Sequence, residues 1–455
     1  MEYRLDQECF TKNFGAKFTH KTNMRYNLFP FTGSTSDKVL DSFDNILGAF
    51  LRNVYSVNQP DTINQDEIIA GICEDVDFTD EAIKSAFSKI IKDIYFVDAN
   101  TLRCTSINTY KYTISSKNDN KISEYIVSAL CDRDTVIDAL SKKKTHSSNV
   151  LDTLVESKLP ELSHKDSDKK YISVFPQIRE QFTKDLIFLI NDDNSDYNEM
   201  IQLISYYYFF YTSQVIIYLN KFCNADTQLQ PVYFCMSWEK TSKSRACQTM
   251  GWRQIESKLN TMFSHAVLLE MLNQTGMEQS FSYTKICDIY TNANDCEKEM
   301  IFESIERLKE NYRNIYAEPD GFSYKTNSYE KGNIDSLIRE FFDDIMTQFK
   351  YTVRSRVNEA YQSSFYEFCR NNYLQNRKTN GLILVLTEEQ LVLLTKIIIA
   401  DAQQMRLNTL FKEFEGRGIF MDSATKECVV EFYEKLNLIE KKSDSGDAQY
   451  VKGIL

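Results

Sequence analysis

Residues 386–455 read LTEEQLVLLTKIIIADAQQMRLNTLFKEFEGRGIFMDSATKECVVEFYEKLNLIEKKSDSGDAQYVKGIL. Thr387 can cap a helix, because Glu388 and Glu389 follow in the first turn and Gln390 stands three residues on, a capping-box arrangement. Leu391, Leu393, Leu394, Ile397, Ile398 and Ile399 then make that helix largely buried. Leu407, Leu410, Phe411 and Phe414 mark a second helix that stops at Gly416 and Gly418. Asp422 or Ser423 can cap a third, with Val429, Phe432, Tyr433 and Leu436 at helical spacing. A strand over 438–442, a turn over 443–447 and a return strand over 448–453 complete the order. Three helices followed by a hairpin predict a winged-helix module.

The charge of this segment pulls against that shape's usual job. Residues 387–455 carry nine Lys and Arg against twelve Asp and Glu, a net of −3. The third helix, where a groove reader places its base-contacting side chains, carries Glu427, Glu431 and Glu434. Phosphate neutralisation by Lys and Arg supplies most protein–DNA affinity. The expected use of the module is therefore docking to a protein partner, with those three glutamates as the candidate docking residues.

Upstream, the 455-residue chain is long enough for two or three domains and a substantial core. Its formal net charge of −12 argues against global attraction to nucleic acid, so any such contact must be local. Thirteen Gly and six Pro are few for this length and favour long helices. The fold expected is mostly α: a long-helix body, a C-terminal winged-helix-like module and a small mixed N-terminal region. The divisions expected are 1–140 for the mixed or helical N-terminal region and 141–170 for a polar linker or surface excursion. The helical body follows over 171–380 and the module over 381–455, with 371–381 as a hinge.

Within the N-terminal region, 37–55 has a helical pattern and Thr79 can cap another helix. Residues 95–114 alternate more like short strands. In the body, 178–190, 200–222, 252–272, 296–316 and 334–373 read as long amphipathic helices. The stretch 200–220 has no charge and is long enough to span a bilayer. Its Gln, Ser, Thr and Tyr side chains need polar partners, so a buried central helix is the expectation.

Eleven cysteines occur singly and no CxxC appears. With no secretory pattern at the start, reduced thiols and a cytoplasmic location are expected. Cys223, Cys235 and Cys247 are spaced by twelve, which matches no zinc site and reads as coincidence. No P-loop, GxGxxG, GxSxG or HExxH motif is present, and only four His occur. No catalytic residue, metal or cofactor is therefore expected. His265 lies in an apolar helical pattern and reads as a core histidine. Asp422 with Glu440 and Lys442 has the composition of a metal-nuclease triad, but Glu440 begins a strand of the wing.

Two local basic stretches remain as nucleic-acid candidates. In the first, Lys240, Lys243 and Arg245 lie between Trp238 and Trp252, with Arg253 next. Aromatic and basic residues together are the composition of a single-strand platform. The competing reading is a solvated loop whose tryptophans pack inside. The second runs from Lys350 to Lys378 through Arg354, Arg356, Arg370 and Arg377 and reads as a solvated helix face.

The wing sequence KKSDSGDAQYV at 441–451 and the N-terminal stretch RYNLFPFTG at 25–33 resemble the DptG family, the G component of the bacterial DNA phosphorothioation-dependent restriction system. The chain length fits as well. The resemblance implies a bacterial protein acting beside an ATPase partner and a helicase-like partner against DNA that lacks sulfur in its backbone. It supplies no catalytic residue. The function expected is a non-enzymatic subunit that bridges those partners and helps hold double-stranded DNA. A winged-helix DNA-binding regulator, using Lys426 and Lys441, and a nuclease with an unrecognised site are the alternatives.

Overall fold

In a computed structural model, residues 3–15, 20–33, 43, 45–144, 149–166, 170–325, 328–441 and 449–454 are described. The protein is mostly α. It divides into two units that do not follow chain order. The first joins Met1–Val39, Phe209–Val392 and Gln403–Lys452; the second joins Leu40–Tyr208, Leu393–Ala402 and Gly453–Leu455.

In the second unit the helix Ile46–Tyr55 is the buried centre. It begins later than the 37–55 pattern suggests; residues 37–42 lie outside the described set, and Asn45 is the N-cap. Gly48 is required by close approach: a Cβ there would sit 1.9 Å from the Thr113 hydroxyl and 2.4 Å from the Tyr110 carbonyl. The helix carries Arg52 into the interior, where its guanidinium donates to the carbonyls of Lys111 and Thr113 and to the Ser115 hydroxyl. It packs on Lys117–Leu130, which opens with a reciprocal Ser116–Asp119 capping box. Helices Gln65–Glu74, Glu81–Tyr95 and Val150–Lys158 surround a separate apolar cluster of Ile68, Ile72, Ile91, Tyr95 and Val155. Asp80, rather than Thr79, caps Glu81–Tyr95, accepting from the Ile83 amide at 2.9 Å. The 95–114 stretch forms two short strands, Phe96–Asp98 and Thr101–Leu102, then a 3-10 turn at Thr109–Tyr112. Lys396, in the 393–402 segment of this unit, is held by Asp192 and Glu199.

The chain crosses between the units inside the helix Tyr197–Leu219. The uncharged 200–220 stretch is a core helix: Leu203, Tyr207, Tyr211 and Leu219 are among its buried residues. The Tyr207 hydroxyl in it donates to Asp185 at 2.6 Å, and the Gln214 side chain donates to the Gln230 carbonyl at 2.9 Å. Among the described residues no helix is long and apolar enough to cross a membrane.

The body of the first unit is built from Trp252–Leu259, Met262–Leu272, Tyr283–Asn292, Asp295–Ile315, Ile334–Tyr351 and Ser355–Asn372. Two expected long helices are each broken once. The 252–272 pattern breaks at Asn260, whose carbonyl accepts from the Asn358 amide at 3.2 Å. The 334–373 pattern breaks at Thr352, where the backbone turns extended and the hydroxyl donates back to the Gln348 carbonyl. Neither break has a Gly or Pro to announce it. His265 is fully buried in Met262–Leu272, stacked on Phe342, with Nδ1 3.1 Å from the Tyr283 hydroxyl. Burial lowers its basicity to about 3, so the imidazole is neutral.

The 25–33 stretch is an extended strap across this body. Successive amides of Met24, Arg25 and Tyr26 donate to the buried Glu270 carboxylate. Phe31 then packs edge-on against Tyr361, and Gly33 lies so close to Val357 that a Cβ would sit 2.2 Å from its methyl.

The cysteines depart from the expectation of uniformly reduced thiols. Cys223 and Cys287 form a disulfide between the 3-10 turn Phe222–Asn224 and the helix Tyr283–Asn292. Nine others are free thiols.

The 371–381 stretch, expected as a hinge, contains a strand and a turn. Leu374–Asn376 pairs antiparallel with Leu382–Leu386, and Gly381 turns between them at φ +75°. Cys235–Met236 adds a parallel strand on the other edge, with Cys235 opposite Val385 and Met236 opposite Leu386. Downstream come the helices Glu388–Ile399, Leu407–Gly416 and Ser423–Lys435. The Thr387 capping box forms in both directions, with the Gln390 amide donating to the Thr387 hydroxyl and the Thr387 amide to the Gln390 side chain. Ile439–Lys441 and Gln449–Lys452 pair antiparallel, and a third strand, Gln404–Arg406, which the pattern did not announce, pairs with the other edge of Gln449–Lys452. The expected turn at 443–447, and most of the 441–451 wing stretch, lie outside the described residues.

Candidate functional site

The first basic stretch begins where the strand Cys235–Met236 ends. The Ser237 amide donates to the Leu386 carbonyl, and the Glu239 amide turns back to Met236. The Glu239 carboxylate accepts from the Met236 amide at 3.0 Å and is buried. A charge so placed needs a partner, and Arg245 supplies it. Its Nη2 donates to Glu239 at 2.5 Å, while Nε and Nη2 reach both oxygens of Asp422 at 2.7 and 2.5 Å. The same Nη2 lies 2.9 Å from the Thr425 hydroxyl, which in turn donates to Glu239.

This network joins the loop to the N-terminus of Ser423–Lys435. Asp422 is that helix's N-cap, accepting from the Thr425 amide at 3.1 Å. An anionic cap suits the positive end of the helix dipole. Burial pushes the Asp422 carboxyl up, but the Arg245 hydrogen bonds and the Thr425 amide outweigh it, leaving it below the usual carboxylate range. The Asp422 hydrogen bonds lift the Arg245 guanidinium further above its ordinary value. Asp422, the first member of the nuclease-like triad, is therefore already spent on a cap and an ion pair.

Both tryptophans have partners. Trp252 is 1% exposed, its ring 6.0 Å from Tyr366. Trp238 lies 5.0 Å from Phe432 and hydrogen-bonds Cys428. Trp252 therefore offers no stacking face of the kind a single-strand platform uses, while Trp238 is half-buried. Of the cations, Lys240, Lys243 and Arg253 are exposed, and Arg245 is mostly enclosed.

The second basic stretch divides the same way. Arg354 lies over the Tyr316 ring, and Arg370 contacts Glu367 at 3.4 Å. Arg377 donates to the carbonyls of Met236 and Ser237, and Asn380 donates to the Thr241 carbonyl at 3.0 Å. These bonds bring the 377–380 turn against the 236–241 loop. Lys378 stays exposed.

The helix Ser423–Lys435 has two distinct faces. At about 100° per residue, Thr425, Cys428 and Phe432 share the face that meets the loop. Glu427, Glu431 and Glu434 lie roughly opposite, and all three are exposed. Lys426, one of the lysines a groove reader would use, contacts Glu415 at 3.1 Å and covers the Phe411 ring. The side chain of Lys441, the other, lies outside the described set.

Other polar groupings have structural work. In the second unit a cleft of about 440 Å³ is lined by Asp152 and Glu156. Asp152 already accepts from Tyr95 and Thr105, and Glu156 from Ser106 and Asn108. Among the described residues, no three or more His, Cys, Asp or Glu side chains gather as a metal site. Cys235 and Cys247 do meet, in one small apolar cluster with Ile383 and Val385. The hydrogen bond between the thiols raises Cys235 and lowers Cys247 from the ordinary thiol value.

Sequence reasoning named Arg245 and Asp422 separately, one as a phosphate ligand and one as a cap. Their pairing across 177 residues has no local signal. Glu239 offered the only hint, as the one acid inside the basic stretch. No protein-family model matches this chain, and no curated protein matches its sequence.

Proposed function

We propose that this chain is a non-enzymatic subunit of a bacterial DNA restriction complex. It bridges an ATPase partner and a helicase-like partner and helps hold DNA that lacks phosphorothioate modification. The identity of the complex and its partners rests on the resemblance of 25–33 and 441–451 to the DptG family. We further infer that residues 388–452 make a winged helix. The order helix, strand, helix, helix, strand, strand supports that reading, as does the sheet order with Gln449–Lys452 in the centre.

One observation carries the docking role: the third helix turns its loop-facing side inward and its three glutamates outward. A recognition helix needs cations toward the phosphates, whereas an acidic ridge suits a basic protein surface. The regulator reading is less favoured because Lys426 is already engaged with Glu415.

The test is co-purification with the two partners. Glu427→Lys, Glu431→Lys and Glu434→Lys together should abolish association while leaving the melting curve in place. Undiminished association would remove the docking role. DNA cleavage or ATP hydrolysis by the purified chain, lost on a point substitution within it, would overturn the non-enzymatic reading.

A further inference from the structure

Tertiary structure joins two basic stretches that the sequence keeps more than a hundred residues apart. The parallel pairing of Cys235–Met236 with Val385–Leu386 sets the loop beside the 374–386 hairpin. Arg377 fastens the hairpin to the carbonyls of Met236 and Ser237, and Asn380 fastens it to Thr241. Lys240 and Lys243 flank Thr241, and Lys378 stands two residues from Asn380. All three lysines are exposed, and none is ion-paired among the described residues. Ser242 and Ser244, also exposed, add hydroxyl donors 3.1 Å apart.

We propose that Lys240, Lys243 and Lys378 form one phosphate-binding surface for the backbone of double-stranded DNA. The inference rests on the reading that the chain works on DNA, and it names the surface that does so. First, the charges are uncompensated, while Arg245 and Arg377, their neighbours in sequence, are consumed in holding the loop. Second, those two arginines fix the backbone beneath the lysines, so binding does not have to order the loop. Third, the chain as a whole is strongly acidic, at −12. Its overall field repels a polyanion, so a duplex can be held only where unpaired cations stand close together.

The chemistry points to duplex rather than single strand. Affinity for single strands draws on exposed aromatic faces; here Trp252 is buried, and half-buried Trp238 rests against Phe432. Lysine ammonium groups act as point charges on phosphate. They hold the backbone and carry no base readout. The surface is therefore expected to bind without sequence preference and with strong salt dependence.

The experiment uses the full chain and a short fluorescent duplex, followed by anisotropy across a salt series. The triple variant Lys240→Glu, Lys243→Glu, Lys378→Glu should bind at least about tenfold more weakly at low salt. The slope of log affinity against log salt should fall by about 2.7, at roughly 0.9 for each phosphate no longer neutralised. Lys331→Glu, an exposed charge change in the 328–333 turn, should leave both unchanged. A single-stranded oligonucleotide of equal length should bind less tightly. Wild-type affinity in the triple variant, no duplex binding by the wild type at about 50 mM salt, or tighter binding of the single strand would each overturn the proposal. Partner co-purification of the same triple variant separates the two readings. If association persists while DNA binding is lost, both the subunit role and the lysine surface stand; if the wild type fails to associate at all, the subunit role falls by itself.

Discussion

Two ionic networks in the same unit bury charge in opposite circumstances. Between the helices Asp295–Ile315 and Ile334–Tyr351, Lys309 pairs with Glu340, with side chains 2% and 6% exposed. Arg313 grips both oxygens of Asp344 at 2.7 and 2.9 Å, and Glu340 also accepts from the Ser328 and Tyr329 amides. Burial works against the Glu340 charge, yet Lys309 and the Ser328 amide hold its carboxyl below the ordinary value. These charges sit inside an interface that Ile301, Ile305, Leu308, Leu337 and Phe341 already make apolar. At the 237–245 loop the ion pair, with the Trp238–Phe432 contact and the backbone bond between Phe234 and Phe420, ties together segments 177 residues apart. One network is packed into a helix pair, while the other is a clasp. The difference teaches that the same residue types cost most to disturb where they are driest, and that a partly exposed pair can still tie together segments far apart in the chain.

Substitutions can break or sharpen that contrast. The largest effect is expected from Glu340→Ala, which leaves Lys309 buried without its carboxylate. Removing one partner of a buried pair costs about 3–5 kcal/mol, read as a lowered denaturant midpoint. A loss below about 1 kcal/mol would place that pair with solvent-screened ones and erase the distinction.

Arg245→Ala should cost somewhat less, about 2–3 kcal/mol after allowing for partial exposure. It leaves the Glu239 and Asp422 carboxylates facing each other. Its signature is local: proteolysis within 237–245 should accelerate well before global unfolding. The same clasp is pH-sensitive, because Asp422 titrates below its unfolded value. Its stabilisation is present above the ordinary carboxylate range and lost as pH falls through the lowered value. Asp422→Asn should remove that part of the acid transition in a pH titration of the loop's protease sensitivity. An unchanged acid profile would show that Asp422 is not the titrating group.

Thr387→Ala deletes one half of a capping box and should cost about 1 kcal/mol in thermal or denaturant unfolding. Lys240→Ala and Lys243→Ala, side chains on the same loop as Arg245, should change stability by no more than about 0.5 kcal/mol. A larger loss would mean that these lysines hold the fold.

Much of the helical framework was legible in residue spacing. The caps at Thr387 and Asp422, the stop near Gly416 and Gly418, and the buried 200–220 helix follow from side-chain chemistry and period. The breaks at Asn260 and Thr352 were not, because each depends on a distant segment or a local hydroxyl bond that interrupts an unbroken apolar pattern. The strand Gln404–Arg406 was hidden for a related reason: three residues have no period to read, and the strand exists because Gln449–Lys452 offers an edge. Of the candidate site, the exposure of Lys240, Lys243, Arg253, Glu427, Glu431 and Glu434 accords with their charge. The enclosure of Arg245 and Trp252 does not follow from their neighbours in the chain.

By itself the sequence determined a mostly helical protein, strongly acidic overall, with its few basic clusters local and its third C-terminal helix bearing an acidic stripe. Those are properties of composition and of period, and both are local. Only the tertiary structure decided which charges meet each other and which meet water. It spent Arg245 on Asp422 and Glu239, buried Trp252, and set the 377–380 turn that carries Lys378 against the 236–241 loop. The physical reason is that a charge's free energy depends on what surrounds it in space, and those surroundings are contributed here by segments up to 177 residues away.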